Sequence, residues 1–410
     1  MEPSIITPSP PPFLAPKPQS PITLLHKSTI NPLHLKQIHA HLLRTNPNLP
    51  TPLLTHLLRH YTTHHHHRAA AAIFNQFHDH SPPTFAFNLM IRSHTQMGSP
   101  IEGISLYNVM MEEGVAPDKF TFTFAVKACA EAKAVRKGRE VLGFAIKTGF
   151  WKDLILMNNV MDLYFRVGAT GDAWKVFDRM RVRSVVSWTI VLKGLIRAGE
   201  MREAWRVFGE MDERNVVSWS TMIDGCVGKG MVQEGFELFM RMQEEGVRPN
   251  EFTLVSLLRG CAKLGSLELG AVVHEYAVKN GFEMGVYLGT ALLDMYSKCG
   301  NIAEARRVFD KMEKKSLSTW NAMITSLGVH GYGEEALMLF DRMLEENVQP
   351  CAITFVGVLC GCVQTENVDR GLRLFEYMYN SCGILPILEH YVRMFQLWNL
   401  EKTMMNVIDT

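Results

Sequence analysis

The 410 residues contain no apolar run approaching the roughly 18 that a spanning helix needs, so an integral membrane protein is not expected. Glycine is missing from the N-terminal part: the first of 30 is Gly98, whereas fourteen of the 19 prolines lie before residue 84. Two differently built segments therefore meet near residue 80. Acids are also scarce there, with Glu2 and Asp79 against six Lys or Arg, so the net charge of +1 conceals a slightly acidic body. Such a body lacks the basic stripe of a protein that grips nucleic acid chiefly by neutralising phosphates. Cysteine pairs at staple spacing are lacking too. The eight cysteines (Cys129, Cys226, Cys261, Cys299, Cys351, Cys360, Cys362 and Cys382) are scattered through a chain that is 47% hydrophobic. A chain this rich in core residues does not need disulfides, and reduced thiols are expected.

Catalytic signatures are equally scarce. Zinc deaminase chemistry needs H-x-E, a general acid beside one ligand, and P-C-x-x-C, two further thiolates. Neither occurs: Pro350 and Cys351 have no second cysteine at that spacing, and Cys360 and Cys362 stand too close together. The phosphate cradle G-x-x-x-x-G-K-[ST], the H-E-x-x-H zinc helix and the G-x-S-x-G elbow are absent as well. The run from His64 to His67 has no Cys or acid set at ligand spacing, and four adjacent imidazoles cannot face one ion from a regular helix. No catalytic residue, metal or cofactor is expected, and the chain does not read as an enzyme.

What is present is a repeat. Lys175 to Met180 (KVFDRM), Arg206 to Met211 (RVFGEM), Glu237 to Met242 (ELFMRM), Arg307 to Met312 (RVFDKM) and Met338 to Met343 (MLFDRM) share one pattern at spacings of 31, 31, 70 and 31. The 70 spans two units of 35. Longer landmarks keep the same ruler: Glu112 to Asp118 (EEGVAPD) recurs 132 residues later as Glu244 to Asn250 (EEGVRPN), and Lys147 to Asp153 (KTGFWKD) as Lys279 to Gly285 (KNGFEMG). Fixed periods of this size mark a solenoid in which each unit buries its apolar face against its neighbours. Ala173, Val176, Phe177 and Met180 fall at helical spacing, as do Trp219, Met222 and Ile223, so each unit reads as a helical hairpin with packed Phe, Trp and Met stripes. Gly199 and Gly230 lie between the stripes where a turn is needed, and Pro117, Pro249 and Pro350 close their units. The expected fold is an all-α, right-handed α-solenoid of helix-turn-helix units of 31 and 35 residues.

Residues 216–250, VVSWSTMIDGCVGKGMVQEGFELFMRMQEEGVRPN, resemble a pentatricopeptide repeat, and the alternating lengths resemble that family's plant subclass of P, L and S repeats. Tetratricopeptide units differ, with 34 residues and a W-x2-L-G-x2-Y opening. The units run 84–118, 119–153, 154–184, 185–215, 216–250, 251–285, 286–316, 317–351 and 352–386. Residues 33–83 read as degenerate repeats, and 387–410 as a truncated repeat or tail, short of the family's E/DYW extension. Residues 1–32, rich in Pro, Ser and Thr with a single acid, read as a disordered organelle transit segment.

The resemblance implies a monomer that binds single-stranded organellar RNA and reads each base with two or three side chains, mainly the fifth and last residues of a unit. Carried onto this chain, the pairs are Asn88 with Asp118, Thr123 with Asp153, Asn158 with Ser184, Thr189 with Asn215, Ser220 with Asn250, and Thr290 with Ser316, followed by Asn321, whose partner position holds Cys351. The first five would favour U, G, C, A and A. Val255 with Gly285, and Val356, lack a polar reader. Ser, Thr and Asn are also preferred near helix starts, so helix capping is the competing role for these residues. Lys127, Lys193 and Lys263 are candidates for placement near the groove. The implied role is an adaptor for RNA editing, processing or stabilisation in plastid or mitochondrion, with plastid favoured and a deaminase or other editing factor supplied in trans. A scaffold for proteins or peptides is the alternative.

Overall fold

A computed structural model describes residues 31–46, 49–77 and 82–408, with side chains described as far as residue 399. All but the last two residues of the expected transit segment, 1–32, lie outside the described residues. Every regular element among the described residues is helical, and the chain divides into two compact units at Arg183 and Ser184.

The first unit holds α1 (Pro32–Thr45), α2 (Thr51–Thr63), α3 (His67–Phe74), α4 (Thr84–Gln96), α5 (Pro100–Glu112), α6 (Lys119–Glu131), α7 (Val135–Lys147), α8 (Leu154–Arg166) and α9 (Thr170–Arg179). The second holds α10 (Val185–Ala198), α11 (Met201–Glu210), α12 (Val216–Gly228), α13 (Val232–Glu244), α14 (Glu251–Leu264), α15 (Leu267–Lys279), α16 (Val286–Lys298), α17 (Ile302–Lys311), α18 (Leu317–Val329), α19 (Gly333–Glu345), α20 (Ala352–Gln364), α21 (Val368–Glu376) and α22 (Leu388–Ile408). Within the first unit α4, α6 and α8 pack on one another in succession, and within the second α10, α12, α14, α16, α18 and α20 do the same. Each of these first helices carries the following helix folded back against it as a hairpin. Each unit is thus an α-solenoid stack.

The two repeat lengths have a local cause. The second helices α9, α11 and α17 have 10 residues, whereas α5, α7, α13, α15 and α19 have 13. A 31-residue repeat is therefore a 35-residue repeat that has lost about one turn of its second helix. Whole-turn loss leaves the apolar stripe on the same face. Four of the five long helices end on left-handed glycines such as Gly114 and Gly246 (φ 71° and 73°), where a Cβ would be strained, and α19 ends on left-handed Asn347. The short ones close differently. Arg183 donates to the Phe177 carbonyl and Arg214 to that of Phe208, with their guanidinium groups 4.3 and 5.1 Å from the respective ring centres. Lys315 likewise lies over the Phe309 ring, at 5.0 Å from its centre, but donates to the Met312 carbonyl. Cations placed there satisfy C-terminal carbonyls and stack on the ring together.

Packing follows nearest neighbours. Trp219 and Trp320 are fully buried, each edge-on to a phenylalanine of the preceding hairpin, Phe208 at 4.9 Å and Phe309 at 5.2 Å between centroids. Each such ring contributes about 2–3 kcal/mol by leaving water. A second contact recurs at larger separation: the His39 ring nitrogen lies 3.1 Å from the Tyr61 hydroxyl, and His274 lies 2.8 Å from that of Tyr296. Both pairs are 22 residues apart in sequence, so α1 and α2 repeat the relation that α15 and α16 make in the array. Burial lowers the pKa of both histidines below the ordinary imidazole value.

Candidate nucleic-acid interface

Each first helix begins one residue after the last residue of a repeat, and that residue is the helix N-cap. Asp118 accepts from the backbone N–H groups of Phe120 and Thr121, and Asp153 from that of Leu156. In the second unit Ser184, Asn215, Asn250 and Ser316 cap α10, α12, α14 and α18, each in a reciprocal capping box. Gly285 caps α16 with no side chain, and Cys351 occupies the same position before α20. The capping role weighed against base reading is therefore real for the last residue of the repeat, and it holds that side chain at a fixed place on the seam between successive first helices.

The fifth residues lie deeper on that seam. Asn88 is 3% exposed, Ser220 3%, and Thr123, Asn158 and Asn321 are also buried, while Thr189 and Thr290 are half-buried. Four of them meet the cap region of the next hairpin. The Asn88 amide donates to Asp118 Oδ1 at 2.9 Å. Ser220 Oγ reaches Asn250 Oδ1 at 3.4 Å and Thr253 Oγ1 at 2.7 Å. Thr290 bonds Thr319, the capping partner of Ser316, at 2.8 Å. The Asn321 amide lies 3.3 Å from Cys351 Sγ and accepts from Thr354. Among the described residues no hydrogen bond joins Thr123 to Asp153 or Thr189 to Asn215. Both threonines instead turn their hydroxyls back to their own helix, onto the Lys119 and Val185 carbonyls. Asn158 belongs to the first unit and Ser184 to the second.

Two features of the seam stand out chemically. The carbonyl oxygens of Asn88 and Asn158 are buried without a partner among the described residues, an expensive state for a polar atom. Cys351 is the odd cap. Burial pushes its thiol up, but hydrogen bonds from Thr354 and Asn321 outweigh that and hold it below the ordinary thiol value.

The sequence reading missed a further row. One turn before the fifth residues, at the second position of the repeat, stand exposed apolar side chains: Phe85, Phe120 and Ile155 in the first unit, and Val186, Val217, Phe252, Tyr287 and Ile353 in the second. Tyr287 is 77% exposed. An open cleft of ≈ 560 Å³ lies beside it, lined by Val255, Arg259, Thr290, Asp294 and Ser316 among others. The signal was available as an apolar residue recurring three places before every polar fifth residue except Asn321, which follows Ser318, but it reads as core unless the helix face is known. Lys127, Lys193 and Lys263 are exposed on α6, α10 and α14 and make no ion pair among the described residues.

Comparison with known proteins agrees with this geometry. The PPR repeat family model matches residues 82–131, 183–216, 214–263 and 315–364, and the PPR repeat model matches 155–185 and 290–317. A chloroplastic pentatricopeptide repeat-containing protein of Arabidopsis thaliana is 53% identical over 391 residues, 95% of this chain and 85% of that protein. The chain belongs to the pentatricopeptide repeat family. A second pentatricopeptide repeat relative from Arabidopsis thaliana, CRR2, chloroplastic, is 31% identical over 91% of this chain, which spans 52% of that protein's length. The crystal structure of the pentatricopeptide repeat protein PPR10 from maize superposes with a TM-score of 0.56 at 18% identity, covering 92% of this chain and 62% of the other. That likeness is one of fold. No helix among the described residues is long and apolar enough to cross a membrane, and no group of His, Cys, Asp and Glu among them could hold a metal ion.

Proposed function

We propose that this pentatricopeptide repeat protein binds single-stranded RNA along its first helices and reads bases with the fifth and last residues of each repeat. One observation carries the reading: each polar fifth residue on the seam, Asn321 excepted, has an exposed apolar or aromatic side chain three places before it. A base face stacked on Phe120, Phe252 or Tyr287 would bring its polar edge to the seam, where Asn, Ser and Thr groups offer donors and acceptors. The unpartnered carbonyls of Asn88 and Asn158 would gain the hydrogen bonds they lack. Stacking and edge contacts supply affinity without a basic stripe, which suits a slightly acidic body; Lys127, Lys193 and Lys263 would add a few phosphate contacts.

Residues 84–386 form the reading array in this proposal, and residues 1–32 direct the chain to an organelle, with the plastid favoured by the chloroplastic relatives. Catalysis, where the RNA is edited, would come from another protein, since the residues for it are absent from this one. The test is binding of the purified protein to a single-stranded RNA containing U-G-C-A-A, against a scrambled RNA of equal composition. At least tenfold preference for the ordered sequence is expected, and equal affinity would defeat base-specific reading. Asn88→Ala with Ser220→Ala should reduce the preference while leaving the scrambled RNA's affinity unchanged.

A further inference from the structure

Open clefts recur between successive second helices, and one of them differs in chemistry from its counterparts. Between α7 and α9 lies a cleft of ≈ 610 Å³, adjoined by a smaller one of ≈ 240 Å³ that shares Trp151, Met157 and Arg179 with it. Together they are lined by five cations, Arg139, Lys152, Lys175, Arg179 and Arg181, against one acid, Asp172. Asp172 is already engaged by Arg139 at 2.9 Å and Lys175 at 3.1 Å. Arg179 and Arg181 are exposed and make no ion pair or hydrogen bond among the described residues. Two other clefts of this kind carry no cationic excess. Between α5 and α7 the lining has Lys137 and Lys147 against Glu112 and Glu140, and between α17 and α19 two arginines face Asp310, Glu335 and Glu345.

The repeat itself supplies a control. The hairpin 132 residues on has Ala271, Glu283, Met284 and Glu313 where the first copy has Arg139, Trp151, Lys152 and Arg181. Lys314 there replaces Val182, so the corresponding positions balance, three acids (Glu283, Glu304 and Glu313) against three bases (Arg307, Lys311 and Lys314). Packing does not demand the cationic set, because the same hairpin folds without it.

We propose that the cleft between α7 and α9 is a docking site for an acidic amphipathic segment of a partner protein. The charge is complementary to Asp and Glu, and the floor of Leu142, Ile146, Met157 and Val176 beside Trp151 accepts apolar anchors. A nucleic acid is the poorer occupant, since that aliphatic floor gives phosphate oxygens no donors. The cations lie on second helices and the turns after them, while α8 lends Leu154, Met157 and Tyr164 to the floor; no lining residue is a fifth or last residue of a repeat, so the two sites share no residue.

The test uses the full chain and a fluorescent helix-forming peptide with Glu on one face and Leu and Phe on the other. A peptide with Lys in place of Glu and a single-stranded oligo-U serve as competitors. The parent should bind the acidic peptide, more weakly as salt rises, and neither competitor should displace it. Replacing the four residues by those of the second copy (Arg139→Ala, Trp151→Glu, Lys152→Met, Arg181→Glu) should weaken the peptide at least about tenfold with RNA binding unchanged. Arg179→Glu alone, at an exposed position, should cost about fivefold. Unchanged peptide affinity in both variants overturns the proposal. Displacement by oligo-U, with RNA affinity lost in the four-residue variant, also overturns it by assigning the cleft to nucleic acid.

Discussion

The hairpins at 119–153 and 251–285 are two copies of one unit, held in different compact units of the chain. Their interior positions correspond: Thr121 and Thr253, Phe122 and Leu254, Val126 and Leu258, Cys129 and Cys261, and Val141 and Val273 are all buried to the same degree. Their seam positions do not correspond. Thr123 and Asp153 in the first copy become Val255 and Gly285 in the second, and Trp151 becomes Glu283. What one hairpin needs from its neighbours is thus held constant, while its seam and surface positions are free to change. The difference is what a one-dimensional array allows, since each repeat is stabilised only by adjacent ones and outward positions carry little of that energy.

The largest contrast the copies should share is in thiol chemistry. Burial pushes Cys129 and Cys261 up to about 12, whereas Cys351 is held below the ordinary thiol value. A depressed folded pKa means that Cys351 favours the thiolate: its stabilising contribution is present above the unfolded thiol pKa and is lost as pH falls through the folded value. Iodoacetamide labelling of the native protein, mapped by mass spectrometry, should modify Cys351 roughly a thousandfold faster than either buried thiol. Labelling of Cys129 at a rate near that of Cys351, with Cys261 protected, would show that the first copy opens while the second stays shut.

Next in size is the core. Phe122→Ala and Leu254→Ala should each lower the unfolding free energy by about 3 kcal/mol, read as a fall in the urea midpoint. A large effect in one copy alone would end the equivalence. Outward aromatics should behave in the opposite sense: Phe120→Ala and Phe252→Ala should leave the midpoint in place and reduce RNA affinity by about 2 kcal/mol, roughly thirtyfold.

Loss of the caps, Asp118→Ala for α6 and Asn250→Ala for α14, should cost about 1 kcal/mol of stability each. Replacing Asn250 by Ser should keep the cap and alter only the base preference. The smallest effect sharpens the comparison most. Gly285 has an extended backbone (φ −67°) with open space where a Cβ would stand, so Gly285→Asp with Val255→Thr places the first copy's pair in the second. Stability should rise by a few tenths of a kcal/mol from the new cap, and a base preference should emerge at that nucleotide. No preference would mean that the pair reads nothing by itself.

Much of this architecture was legible beforehand. The stripe of Ala173, Val176 and Phe177 and that of Trp219, Met222 and Ile223 are both buried, because helical periodicity and burial are two readings of one requirement. The 31 and 35 alternation was visible as a ruler, but not as a missing turn of the second helix. The fifth residues were legible as polar positions that could read bases, but not their depth: most are buried in the seam. The first helices of adjacent hairpins approach closely enough for Asn88 to bond Asp118 thirty residues on, and nothing local to Asn88 specifies that distance.

The sequence by itself determined the hairpin, its period and the chemical type of each seam residue, because those depend on local periodicity, caps and turns. Only the tertiary structure decided which apolar residues, such as Phe120 and Tyr287, stay exposed and that cations gather in one cleft between second helices. Those facts depend on how each helix is rotated against its neighbours, and that rotation is set by packing between repeats rather than by any one of them.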